Sequence, residues 1–306
     1  MPNTTPIRNK RGWLAVCLMF AALAALPAQS APPPGHPGLT PSPRQMAEFH
    51  LLQKRYDEAI KSFTAILQTD GADSYTFRGL VNAYRGAHRQ AGGEAYLKKY
   101  LRQFPDSSPA LYGLGYLYYL ENRDEEAERH LRLALAADPK NALALNNLGA
   151  ALARKKAFAE AVRAVKKAIA LDPGELMFYR NLKMIYDAMH LASRFAGEFE
   201  AYQKNGPPEI AAGYGKALAT AFRQQGFRFF SEGNLDDAIK SFKNLVSIYR
   251  KINHPSGIVA GLFSLGLLYE EKGDRGQAMA YYRDVLKLSP NHIQARQKLR
   301  SGQQTP

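Results

Sequence analysis

The chain has one cysteine and one tryptophan in 306 residues, and both stand near its start, at Cys17 and Trp13. Beyond residue 30 there is no thiol to oxidise, to ligate a metal or to act as a nucleophile, so disulfides, thiolate catalysis and cysteine-held metals are excluded together. Histidine has no useful pattern: His36, His50, His88, His130, His190, His254 and His292 are scattered singly, without the spacing of a metal site. Gly113-Leu114-Gly115 lies inside a helical pattern and not after a strand, so it is no phosphate loop. The carboxylate pairs Glu125-Glu126 and Asp236-Asp237 fall at helix starts, where the helix dipole already accounts for them. No catalytic residue, cofactor site or metal site is expected, and the chain reads as a non-enzyme.

Long apolar runs are also scarce. The one that stands out is the uncharged stretch from Trp13 to Leu26, preceded by Arg8, Lys10 and Arg11 and followed by the small residues of Ala28-Gln29-Ser30. These are the three parts of a secretory signal peptide. The stretch is short of the roughly 20 residues that a membrane-spanning helix needs. We therefore expect residues 1–30 to direct export to the periplasm or beyond, with cleavage near Ser30 or retention as an anchor. Leu14-Ala15-Val16-Cys17 has the order of a lipoprotein motif, but Cys17 stands near the beginning of the apolar run and Val16 replaces a small residue, which argues against lipidation. Residues 31–43 hold Pro32, Pro33, Pro34, Pro37, Pro41 and Pro43 and read as an extended linker.

Acid is in short supply as well, with 27 Asp and Glu against 41 Lys and Arg, a formal net charge of +14. Losing the three bases of the signal would leave +11. A basic chain suits an acidic partner, whether protein, anionic polysaccharide or lipid headgroup. Nucleic acid is not expected, because an exported chain would seldom meet it. Any membrane contact would be peripheral.

What is present is a period. Leu111, Leu114, Gly115, Tyr118, Ala127, Leu131, Ala134 and Pro139 recur 34 residues later as Leu145, Leu148, Gly149, Leu152, Ala161, Val165, Ala168 and Pro173. Within the repeat from Ser108, the apolar residues fall at spacings of three and four, first over Leu111 to Tyr118 and again over Ala127 to Ala134, so each repeat is two helices and a turn. Asp124, Glu125 and Glu126 open the second helix, and Asp138-Pro139 closes it. Gly115 and Ala127 stand where the two helices must approach closely.

This pattern of small residues, aromatic column and closing proline resembles the tetratricopeptide repeat. The resemblance implies an all-α, right-handed superhelical solenoid of antiparallel helix pairs, a fold that presents a binding surface and not a reaction centre. The same phase runs upstream through Phe77, Leu80, Tyr84, Gly93 and Leu97, and before them Met46, His50, Ala59, Phe63, Ile66 and Gly71. Downstream, the fifth repeat (Tyr179, Leu182, Tyr186, Phe195, Phe199) puts Lys183 and Phe195 in the small-residue columns and so departs from the pattern. The sixth is displaced by 43 residues and the seventh by 40. Five repeats are expected over 44–207 and two more over 208–290, with a long helix from Glu209 to Glu232, a lengthened turn over Arg250 to Gly257, a capping helix over 291–301 and a disordered tail over 302–306.

Family resemblance places one face of each first helix on the concave side. That face carries Arg78, Asn82 and Arg85, then Tyr112, Tyr116 and Tyr119, then Asn146 and Ala150, then Arg180 and Met184. Tyrosine and arginine dominate binding hot spots, and asparagine can pair with an extended backbone. Arg78, Asn82, Tyr112, Tyr116, Tyr119, Asn146 and Arg180 are the candidate peptide-binding residues, although the tyrosines could simply pack between neighbouring repeats. Arg223, Phe227, Phe230 and Phe263 form a second candidate surface, which the long helix could instead bury. The basic and asparagine clamp by which some members of the family hold a terminal carboxylate is not matched, because Gly113 stands where the next asparagine is required. The expected role is an exported adaptor that holds a peptide or protein segment in an envelope assembly. The alternative is a basic module for an anionic polysaccharide or membrane surface, acting through second-helix bases such as Lys98, Lys99, Arg102, Arg129, Arg132, Lys166 and Lys167.

Overall fold

The computed structural model describes residues 41–69 and 72–303. The expected signal peptide, most of the expected linker, Gly71 of the first repeat and the last three residues lie outside them.

Fifteen helices make up the described residues: α1 (Pro43–Leu52), α2 (Tyr56–Leu67), α3 (Ser74–Gly86), α4 (Gln90–Gln103), α5 (Ser108–Leu120), α6 (Asp124–Ala137), α7 (Ala142–Arg154), α8 (Phe158–Leu171), α9 (Leu176–Ala188), α10 (Ala192–Asn205), α11 (Pro208–Ser231), α12 (Leu235–Lys251), α13 (Pro255–Glu271), α14 (Arg275–Leu288) and α15 (Ile293–Gln303). First helices start on side-chain caps: Ser42, Asp73, Ser107, Asn141 and Glu175 each accept a backbone N–H of the turn they open. Several second helices instead start on acidic first turns, such as Asp124 to Glu126 in α6.

The seven turns inside the repeats share one device. Lys54, His88, Asn122, Lys156 and His190 all have positive φ, near 60°, and are spaced by 34; Gly233 and Gly273 take the same place in the last two repeats, which are displaced by 43 and 40. A left-handed residue ends each first helix and turns the chain back into the second. Packing repeats as regularly. The glycine of the first helix faces the residue sixteen positions on: a Cβ on Gly115 would lie 2.8 Å from Leu131, on Gly149 2.5 Å from Val165, on Gly226 2.7 Å from Phe242 and on Gly266 2.4 Å from Tyr282. Each pair closes through that gap, with Leu131, Val165, Phe242 and Tyr282 wholly buried.

The helices divide into two units, one ending at Gly197 and one starting at Glu198, within α10. In the first, α3, α5, α7 and α9 pack in succession as a layer, and α3, α5 and α7 are each backed by their second helix. In the second, α11 to α15 continue as helix pairs, with Ala295 of α15 buried against what precedes it.

Three expectations need correction, and the fifth repeat's departure from the pattern has a local account. In α1 the buried residue is Ala47, which stands sixteen residues before Phe63 in the close-approach column, and Met46 is 40 % exposed although its column mates Leu80 and Leu114 are buried; α1 is the first described helix. The extra residues of the seventh repeat lengthen helices and not a turn: α12 and α13 each have 17 residues against 14 and 13 for α6 and α7. The added turn of α12 is held by Tyr249, which stacks on His254, while Pro255 at the first position of α13 and the His254 cap restart the helix at once. In the fifth repeat, Lys183 reaches Asp187 at 2.7 Å one turn on, while Phe195 and Phe199 remain fully buried. The terminal helix runs to Gln303, so Gly302 and Gln303, expected in a disordered tail, are helical.

Candidate peptide-binding surface on the first helices

With a period of 34, position 78 on α3 recurs as 112, 146 and 180, giving the column Arg78, Tyr112, Asn146 and Arg180. Position 82 recurs as 116, 150 and 184, giving Asn82, Tyr116, Ala150 and Met184. Adjacent rows of the α3–α5–α7–α9 layer therefore hold the candidate residues of this unit side by side, Tyr119 following one turn on.

The first column is mostly committed to the protein itself. Arg78 Nη1 lies 3.4 Å from Glu175 Oε2, and its guanidinium sits 5.6 Å from the centre of the Tyr75 ring. Tyr112 is 0 % exposed; its ring stacks on Tyr116 at 5.9 Å with 5° between planes, and its hydroxyl has no hydrogen-bond partner among the described residues. Asn146 is also fully buried, donating to Asn147 Oδ1 at 3.0 Å and accepting from Asn181 Nδ2 at 2.9 Å. Tyr112 and Asn146, expected to meet a guest directly, are thus enclosed. They form the support behind the surface. Arg180, at the end of the column, is exposed.

The second column lies nearer to solvent. The Tyr116 hydroxyl donates to Asn82 Oδ1 at 3.0 Å, both residues being half-buried. Met184 is 66 % exposed, unusual for a large apolar side chain that has a core within reach. Tyr119 lies under the Arg154 guanidinium, 3.7 Å from the ring centre, and Arg154 Nη1 also donates to the Tyr119 carbonyl and to Asp124. Burial pushes both Tyr112 and Tyr116 above the usual phenol range, well above it for Tyr112, although nearby Arg78 opposes this. Both phenols are therefore neutral at physiological pH and act as hydrogen-bonding groups, not charges.

The N-terminal ends of these helices are drawn together by polar contacts over long stretches of sequence. Asn141 Nδ2 donates to Ser74 Oγ at 2.9 Å and to Ser108 Oγ at 3.0 Å, which joins three repeats at one side chain. Tyr75 Oη donates to Asp172 Oδ2 at 2.7 Å across 97 residues, and Arg78 spans the same interval to Glu175. That edge of the layer is closed by its own groups. The accessible part is the opposite edge, where Arg85, Tyr119 and Met184 stand; Arg180, in the column of Arg78, is exposed at the end of the layer.

Sequence reasoning did not find Tyr75, Asn141, Asp172, Glu175 or Asn181. Asn181 had a signal, since Asn147 and Asn181 are 34 apart and occupy one column. The Tyr75–Asp172 pair had none, because its 97-residue interval depends on the pitch of the stack and not on the repeat.

The second candidate set is placed in the other unit. Phe227 meets Phe242 edge-on at 5.5 Å, and Arg223 and Phe230 are half-buried on α11. Phe263 is 3 % exposed, with its ring 4.9 Å from His292 at the start of α15 and 5.6 Å from Tyr282. Phe263 is therefore a packing residue beneath the last helix and is not open to a guest.

Comparison with family profiles agrees with the repeat. Sequence profiles of the tetratricopeptide repeat match residues 84–152, 142–175 and 259–292. A search of curated proteins found no match. Among solved structures, the chain is similar to the Cut9–Hcn1 hetero-tetramer of the APC/C (17 % identity, 85 % of this chain and 55 % of that one, TM-score 0.44). It is also similar to the C-terminal part of a TPR repeat-containing protein from Cytophaga hutchinsonii (14 %, 83 % and 98 %, 0.40) and to PilF of Pseudomonas aeruginosa (21 %, 76 % and 97 %, 0.41). The chain spans about half the length of the first of these.

Proposed function

We propose that this chain, which carries tetratricopeptide repeats, is an exported, non-enzymatic adaptor that binds an extended polypeptide segment along the first helices of residues 74–188 and holds it in an envelope assembly. The observation that carries the reading is the exposure of Met184 beside Arg180, at the open end of a row that also offers Tyr116 and Asn82, with the half-buried Asn181 in a neighbouring row. Met184 supplies apolar contact, Arg180 a charge-assisted donor, and the amides pair with a guest backbone. The enclosed Tyr112 and Asn146 hold that row in place, so it is formed before the guest arrives and little ordering entropy is lost on binding. Export rests on the charge and apolar pattern of residues 1–30.

The reading as a basic polymer-binding module is less favoured, because several second-helix bases are already spent. Lys98 pairs with Glu94 at 2.7 Å, and Arg132 pairs with both Glu128 and Glu160. Co-purification from the native envelope at low and high salt, with wild type beside the Arg180→Glu/Met184→Glu variant, separates the two. A defined polypeptide retained at high salt and lost in the variant supports the adaptor. Material that the variant retains and high salt removes refutes it.

A further inference from the structure

A second groove, in the unit that begins at Glu198, plays no part in the reading above. α12 and α14 are the second helices of the last two repeats, and α13 lies between them as a floor. A cavity of about 550 Å³ opens there. Its base is Leu262 and Leu265 of α13 with Val246 of α12, all at most 4 % exposed. A smaller space of about 360 Å³ adjoins it, shares Lys243 and extends the groove to Lys240.

The walls are unequal in charge. Five bases line the two spaces, Lys240, Lys243, Arg250, Lys251 and Lys272, against two acids, Asp236 and Asp284. Lys272 is held by Asp236, and Lys251 by Glu200 at 2.7 Å. Lys243 lies at the waist, its Nζ 5.5 Å from the centre of the Tyr269 ring, which stacks on Tyr281 at 5.4 Å. Lys240 and Arg250 are exposed and have no ion pair among the described residues. They mark the two ends of a cationic line along α12, ten residues apart, or about 15 Å at helical rise. An extended chain covers that distance in about five residues.

We infer that this groove docks an acidic, extended polypeptide segment whose sequence also carries an aliphatic side chain. Carboxylates of the segment meet Arg250 and Lys240 at the ends, and the aliphatic group enters between Ala280 and Tyr281 onto Leu262 and Leu265. Both parts of the ligand follow from the site. A purely anionic polymer leaves the apolar floor unused, and a flat membrane surface does not enter a recess between two helices. The inference does not depend on the surface of residues 74–188.

Fluorescence anisotropy of the full chain with fluorescein-labelled Glu-Glu-Leu-Glu-Glu-Leu tests it, with all-glutamate and Lys-Lys-Leu-Lys-Lys-Leu peptides as controls. Saturable binding of the first peptide is expected, weakened about tenfold or more by Lys240→Glu/Arg250→Glu, as loss of charge complementarity implies, and equally by Ala280→Trp, which fills the groove from an exposed position. Circular dichroism confirms that the variants remain folded. No saturable binding, equal binding of the all-glutamate peptide, or binding indifferent to Ala280→Trp would overturn the assignment. So would preferential binding to vesicles of anionic phospholipid that the same variants abolish, which would make this a membrane site.

Discussion

Replacing Gly149 by alanine tests whether the close approach of paired helices is what the repeat maintains. In an open helix the change is favourable by about 1 kcal/mol, since alanine is the better helix former. At Gly149 the new Cβ would lie 2.5 Å from Val165 Cγ2 and 2.9 Å from the backbone oxygen of Ala161. A side chain can rotate away, but a backbone carbonyl inside α8 cannot, so α7 and α8 must separate. Overpacking of this kind costs about 1–3 kcal/mol and also opens the contact above and below. The net expectation is a loss of about 1–2 kcal/mol after the propensity gain. Gly197 is the control, because it is exposed on α10 and a Cβ there meets nothing within 4 Å. Gly197→Ala should therefore gain about 0.5–1 kcal/mol. Urea unfolding followed by far-ultraviolet circular dichroism reads both, as midpoints moving in opposite directions. If both variants move the same way, helix propensity and not close packing governs the column, and the reasoning is wrong.

Other substitutions probe the turns, the inner layer and the charge network. Lys156 is exposed with φ near 62°, so Lys156→Gly should relieve about 1–2 kcal/mol of left-handed strain and, after the entropic cost of glycine, stabilise by up to about 1 kcal/mol in the same urea assay. Tyr112→Phe removes a buried hydroxyl without a partner and should be neutral or stabilising, whereas Tyr116→Phe loses the bond to Asn82 and should cost about 0.5–1.5 kcal/mol. Glu94 is held down to about pKa 2 by hydrogen bonds from Lys98, Tyr118 and Arg123. A depressed carboxylate stabilises the fold fully above its unfolded value near 4.5 and loses that contribution as pH falls toward 2. The stability gap between wild type and Glu94→Gln should therefore close on acidification from pH 5 to pH 2, and a gap that widens would contradict the assignment.

The repeat was legible because it is local. Leu111 to Pro139 and its copy 34 residues on carry the stripes, the small column and the closing proline; the stripes and the small column are buried, and Pro139 and Pro173 each follow the C-cap of a second helix. The insertion before the seventh repeat was misread for a local reason too. His254-Pro255 resembles the middle of a turn, yet a proline at a helix start and a histidine cap restart α13 after three intervening residues. The candidate surface was legible only as a set of columns. Which member of a column faces solvent is not carried by the repeat itself: Tyr112 is enclosed while Arg180, two repeats later in the same column, is open. The contacts that close one edge, from Tyr75 to Asp172 and from Asn141 to Ser74, join residues 97 and 67 apart. No periodicity of 34 points to them.

Site-specific photo-crosslinking in the cells that make the protein addresses the adaptor reading most directly. A photoreactive side chain at the exposed positions 184 and 180 of α9 is compared with one at the exposed position 167 of α8, on the second-helix side. The account predicts a discrete polypeptide adduct at 184 and 180, unchanged by high salt during washing, and none at 167. An adduct at 167 with none at 184 or 180 would contradict it and move the partner to the outer helices.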